Sequence, residues 1–241
     1  MSETQVLWQL LRGQPRHGGH RQRLEQFYAP QARHYDAFRD RLLPGRAALL
    51  DALRLDAGHH VVELGCGTAR NLDYLDPTLR ASLAQVDAVD LCPALLEQAH
   101  QRCCDWPNVH VIESDATHFK PDRQVDRVVF SYALTMMPDW RAALRNAFRM
   151  LRPGGLVGVV DFSVSRHRPQ AWQERAVRYF WQHWFAHDGV WLDGAHSVYL
   201  DVLFERLMLS ERKTAVPYLP FVKAPYYLYI GRKRLGTGDQ A

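Results

Sequence analysis

VVELGCGTARN, Val61 to Asn71, decides the fold of this chain. A β-branched apolar run carries an acid, Glu63, and gives way to Gly65, Cys66, Gly67 and Thr68. Glycines without a Cβ let the backbone turn sharply off a strand and come close to a ligand. A helix starting near Ala69 would offer the unpaired N–H groups of its first turn to polar ligand atoms. Strand, glycine turn and helix together make the nucleotide-binding corner of a doubly wound α/β sheet. The third glycine of the dinucleotide fingerprint is missing, and no Walker lysine follows.

Further along, QVDAVDLCPALLEQA (85–99) reads as a second strand ending in Asp90, then a helix with Pro93 in its first turn. An acid at that strand end can accept two ribose hydroxyls, and it lies 25 residues beyond Gly65. NVHVIESDATHF supplies a third strand, Val109 to Glu113, followed by Asp115 and Ala116. VDRVVFSYALTMMPDW gives a fourth, Val125 to Tyr132, with Ser131 and Tyr132 at its carboxyl end. LRPGGLVGVVDF reads as a helix end, a Pro-Gly-Gly turn and a fifth strand. Residues 59–162 are thus expected to form five successive βα units.

In this order the segments resemble the class I S-adenosylmethionine (SAM) dependent methyltransferases, with E-x-G-C-G-T as their motif I. The resemblance implies a mostly parallel, Rossmann-like seven-stranded sheet whose last strand inserts antiparallel beside the fifth. It implies SAM as cofactor, S-adenosylhomocysteine as product and no metal. Cofactor contacts would fall to Tyr28, Glu63, Gly65, Gly67, Thr68, Asp90, Leu91, Asp115, Ala116 and Ser131. Asp115, with the neighbouring backbone N–H, would read the adenine edge.

Composition agrees with one soluble domain: 241 residues, 47% hydrophobic and 23% charged. No run approaches the ~18 apolar residues of a membrane span, and no apolar leader opens the chain. The cytoplasm is the expected compartment, with a peripheral place on the inner membrane face if the basic surface meets lipid. Four cysteines without paired spacing argue against a disulfide framework or zinc site. His183 and His187 lie four apart, but Trp184 stands where a zinc protease needs Glu.

Net charge is +4, and its distribution matters more than its size. Between Arg12 and Arg46 eight arginines face three acids, and Arg232, Lys233 and Arg234 close the last strand. Such a surface suits an anionic membrane or plain solubility, and no RNA-binding signature accompanies it, so no nucleic-acid partner is expected. Residues 1–20 read as a poorly ordered tail and 21–241 as one domain. That domain divides into an N-terminal cap of two helical stretches (about 21–55), a core (59–162) and a substrate-side region (about 169–234). The last region holds a helix dense in aromatics, Trp172 to Phe185, and two strands near Leu207 to Thr214 and Tyr226 to Arg232. Its rings suggest a lid or acyl-chain surface, with Arg166, Arg168, Arg175 and Arg178 at headgroup depth.

FYAPQARHYDAFRD sets Tyr28 and Tyr35 seven apart, on one face if helical. An aromatic ring there can face a sulfonium or a methylated ammonium, both cations that favour π faces. Together with VVELGCGTARN, WFAHDGVWLDGAH and VPYLPFVKAPYYLYIGRK, this segment resembles the diacylglyceryl-homoserine N-methyltransferases of betaine lipid synthesis, over about residues 21–234. The resemblance implies three successive methylations of the amino group of diacylglyceryl-homoserine, and pairing with the homoserine-transferring enzyme. The acceptor amine must shed a proton before attack, so Tyr35 and Tyr132 are the catalytic candidates, with His187 and His196 also placed near a strand end or lid. The alternative acceptors are a quinone precursor or a soluble small-molecule amine.

Overall fold

β-Branched, apolar segments pair into the parallel half of a sheet buried on both faces, as crossover connections require. The computed structural model describes residues 19–29, 36, 42–163, 194–215 and 223–235. Its strands are β1 (His60–Leu64), β2 (Gln85–Asp90), β3 (Val109–Glu113), β4 (Val125–Ser131), β5 (Leu151–Phe162), β6 (Glu205–Ala215) and β7 (Lys223–Arg232). Their order across the sheet is β3-β2-β1-β4-β5-β7-β6. β1 to β5 run parallel, whereas β7 pairs antiparallel with both β5 and β6. This is the seven-stranded arrangement expected from the sequence. Strand order reverses between β1 and β4, and ligands of open α/β sheets bind in the crevice outside such a switch point.

The described helices are α1 (His20–Tyr28), α2 (Arg46–Ala52), α3 (Pro77–Ser82), α4 (Pro93–Cys103), α5 (Trp140–Met150) and α6 (Ala195–Leu203). α2 and α4 cover one sheet face, where Leu49, Leu53, Leu96 and Ala99 meet Val61, Val86, Val129 and Val160. α5 and α6 cover the other, where Trp140, Leu144, Ala147 and Leu200 meet Val62, Val128, Phe130 and Tyr229. The alternation Val128, Val129, Phe130 between faces is the period of two that a strand dictates. In α5 the apolar positions Trp140, Ala143, Leu144, Ala147 and Met150 follow the helical period, and Asp139 caps its start by accepting from Ala142 N–H at 3.0 Å.

The structure corrects several expectations. The helix near Ala69 is only a 3₁₀ segment, Arg70–Tyr74, because Ala69 itself is left-handed (φ 56°) and Pro77 starts a new helix. Between β3 and β4 the chain runs as a loop, so that unit lacks its helix. α1 begins at His20, inside the segment read as tail, and stops at Tyr28, just ahead of Pro30. β4 ends at Ser131, one residue early, and Tyr132 turns off it at φ 55°. Tyr35, the aromatic helix with its histidines and arginines, and PYLPFV (217–222) lie outside the described residues.

Candidate active site

The cleft at the switch point has a volume of about 750 Å³. Its floor is the glycine loop. Gly65 (φ 78°) and Gly67 (φ 58°) both occupy left-handed backbone, and a Cβ on Gly65 would sit 2.6 Å from the Cβ of Ala133. Glycine is therefore required there on two counts, conformation and space. The loop hangs from β2: Gly65 and Cys66 N–H groups donate to the carbonyl of Val89 at 2.8 and 3.0 Å. Gly67 N–H donates to Asp90 Oδ2 at 2.8 Å, and Cys92 N–H donates to Asp90 Oδ1 at 2.9 Å. Burial pushes the Asp90 carboxyl up, against the pull of those backbone donors.

Beneath the loop lies Glu63, buried on β1, with Oε1 accepting from Asn71 Nδ2 at 2.5 Å. Burial raises its carboxyl to about 7, opposed by the Asn71 hydrogen bond and the charge of Arg46. Arg46 opens α2, is itself buried, and lines the cleft. Asp115 borders the cleft beyond β3, with Oδ1 accepting from Thr117 N–H at 2.8 Å and Thr117 Oγ1 at 2.7 Å. Leu91, Ala116 and Ser131 also line it, and the Ser131 Oγ is buried with no hydrogen-bond partner among the described residues.

Over the cleft lies α1. Its residues His20, Leu24 and Tyr28, four apart, form a single helical face and all line the cleft. Leu24, Phe27 and Tyr28 pack with Cys92 and Leu95 of α4. Glu25 Oε2 accepts from Ala94 N–H at 3.2 Å, supplying from α1 the cap that the α4 N-terminus lacks on its own. Arg21 pairs with Glu113 on the far side. Thr68 Oγ1 donates to Asp36 Oδ1 at 2.6 Å, while Arg102 grips both the other Asp36 oxygen and the Thr68 carbonyl.

All sequence-predicted cofactor residues, from Tyr28 to Ser131, therefore surround one cleft. Tyr132 also lines it, but its hydroxyl donates to the Pro44 carbonyl at 2.7 Å. Burial, with Asp161 and Tyr226 adding to it, pushes the phenol further up. In this arrangement Tyr132 ties β4 to the chain ahead of α2, and it is not poised to accept a proton. His196 is buried on α6 against Trp140, with ring centroids 4.6 Å apart, and is not a cleft residue. Asp36, Arg46, Asn71 and Arg102 went unread in the sequence; only the buried position of an arginine ahead of β1 could have flagged Arg46. Burial raises the Cys92 and Cys103 thiols to about 12 and 11, which leaves them inert. Among the described residues no cluster of histidine, cysteine and carboxylates could hold a metal ion.

Residues 61–155 match the family model described as a methyltransferase domain. Trans-aconitate 2-methyltransferase of Enterobacter sp. (strain 638) is 34% identical over 113 residues, 47% of this chain and 43% of that protein. A 2-phytyl-1,4-naphtoquinone methyltransferase of Thermosynechococcus vestitus is 29% identical over 157 residues, 62% of this chain and 68% of that protein. The chain spans about half the length of the first curated relatives it matches. The [4+2]-cyclase SpnF superposes with a TM-score of 0.69 at 16% identity, over 93% of this chain and 99% of its own. N-methyltransferase NodS of Bradyrhizobium japonicum WM9, bound to S-adenosyl-L-homocysteine, gives 0.64 at 18% identity, over 87% of this chain and 98% of its own. At these identities the two structures share the fold, and within it residues 61–155 carry the match to a methyltransferase domain.

Proposed function

We propose that this chain, built around that methyltransferase domain, transfers methyl groups from SAM to a lipid-borne amine, the amino group of diacylglyceryl-homoserine. The observation that carries SAM as cofactor is the Gly67 N–H to Asp90 bond, which fastens the glycine turn to the acid at the end of the neighbouring strand. Bound there, SAM supplies a methyl group activated by a sulfonium. Asp90 lines the cleft, and the acceptor capacity its backbone donors leave would take a ribose hydroxyl. Asp115, with Oδ1 turned to Thr117, keeps Oδ2 for an exocyclic amine. Gly65 and Gly67 admit the ligand closely, and Leu24 and Tyr28 exclude water from above.

Methyl transfer is an in-line displacement, so alignment of a neutral amine supplies much of the acceleration. Ala133, Met136 and Met137 wall the cleft beyond β4, where an acceptor would lie. With Tyr132 held as a donor to Pro44, the ammonium proton leaves to water at the open mouth of the cleft. The lipid amine is favoured by the whole-chain sequence resemblance, and a quinone precursor is favoured by the naphthoquinone methyltransferase relative.

The test is to incubate purified protein and SAM with each acceptor dispersed in detergent, and to weigh the products. A gain of three methyl groups on diacylglyceryl-homoserine supports the first reading. Methylation of the demethylated quinone alone moves the assignment to the second. Methylation of neither, with SAM still bound, removes both acceptors and leaves the cofactor reading.

A further inference from the structure

We infer that the outer face of α5 and α6 is a docking surface for an anionic lipid bilayer. The inference rests on the reading above only in that its acceptor is lipid-borne. Arg141, Arg145 and Arg149 follow one another at four-residue spacing along the exposed side of α5, a row about 12 Å long. The helix contains no acid, and none of the three arginines is ion-paired to a described residue. Arg141 is held over the Trp140 ring, 4.1 Å from its centroid. Arg145 donates to the Tyr199 hydroxyl of α6 at 3.1 Å, so the arginine row and α6 share one surface.

On α6, Val198 and Val202 lie four apart and are 53% and 70% exposed. A surface that sets unpaired guanidinium groups beside bare aliphatic side chains matches a bilayer interface, where phosphates meet acyl chains. Nucleic acid would use the charge and leave the valines in water. The row also reaches the site: Arg149 and Lys120 stand at the cleft, so the face that meets headgroups borders the opening. A lipid acceptor could then pass from bilayer to cleft without crossing bulk water.

The experiment is sedimentation of the full chain with vesicles of phosphatidylcholine alone or with about 30% phosphatidylglycerol, free of any acceptor lipid. The wild-type protein is expected to bind only the anionic vesicles and to be released by salt. Arg141→Gln with Arg145→Gln should weaken binding about tenfold or more, since each basic group near such a surface contributes on the order of a few-fold or more. Arg141→Lys with Arg145→Lys should retain binding, and Val198→Ser with Val202→Ser should weaken it. SAM binding by the glutamine pair is the control for folding.

No binding by the wild type, undiminished binding by the glutamine pair, or displacement from vesicles by an equal mass of single-stranded oligonucleotide would each overturn the assignment. The vesicles carry no acceptor, so failure here leaves the methyl-transfer reading intact. Failure of acceptor methylation in detergent likewise leaves this one intact.

Discussion

Asp90 is held in place by the backbone of the protein itself. Backbone N–H groups, those of Gly67 and Cys92 among them, fix the rotamer of its carboxylate. Asp90→Ala removes the acceptor and strands both donors, so SAM affinity should fall roughly 10- to 100-fold, the range for a lost hydrogen bond to a charged group. Calorimetric titration reads this directly, and unchanged affinity would displace Asp90 from the ribose site. Glu63 makes a second, pH-dependent prediction. Its carboxyl titrates near 4.5 when the chain is unfolded and about 7 when folded, with burial as the main cause. Between those values the native state holds a proton that the unfolded state has lost. This group's contribution is therefore most favourable below the unfolded value and declines as pH rises through the folded one. Asp161, raised to about 6 by burial, acts in the same direction. The ligand-free protein should melt higher at about pH 5.5 than at about pH 8, and Glu63→Gln should flatten that slope. A variant whose melting temperature keeps the full slope would show that the proton resides elsewhere.

Elements were legible in the sequence wherever a period or a strong local signal wrote them. β3 was found to the residue because VHVIE is bounded by turn residues. The segment after the glycine loop was not legible, since the left-handed turn at Ala69 breaks the helix that composition alone suggests. Two of the missed site residues, Asp36 and Arg102, are placed by contacts far apart in sequence: Arg102 meets Asp36 across 66 positions, and Thr68 meets it across 32. Arg127 shows the same principle outside the site. From β4 it donates to the carbonyls of Leu53 and Arg54 at 2.8 and 3.1 Å, closing the end of α2. Arg127→Met keeps the stem and strips these bonds from carbonyls with few other partners. The cost should be about 2–4 kcal/mol in urea unfolding, and a loss below about 0.5 kcal/mol would mean water replaces the guanidinium without penalty.

At the scale of the molecule, the cleft is closed by charges drawn from three separate stretches of chain. Asp36, ahead of α2, reaches Thr68 of the glycine loop and Arg102 at the end of α4. Arg102 in turn holds Asp73 at 2.9 Å, and Asp73 holds Arg70 at 2.7 Å. On the opposite side Glu25 and Arg21 dock α1 onto α4 and β3. The core beneath needs none of these bonds, because its strands are already sealed by apolar packing on both faces. Asp36 and Thr68 both line the cleft, so loosening this network is expected to change how fast a ligand leaves it. The carboxylate and guanidinium are about one-quarter and one-fifth exposed, enough for salt to weaken the pair. Asp36→Asn keeps a hydrogen bond to Thr68 while removing the charge that Arg102 grips. It should therefore speed SAM dissociation about three- to tenfold, the range for loss of a half-buried charged partner, with little change in melting temperature. Raising salt should speed release from the wild type and leave the variant almost unaffected, as stopped-flow displacement would show. An equal salt response in both proteins would remove the Asp36–Arg102 pair from the gate and leave closure to the apolar contacts of Leu24 and Tyr28.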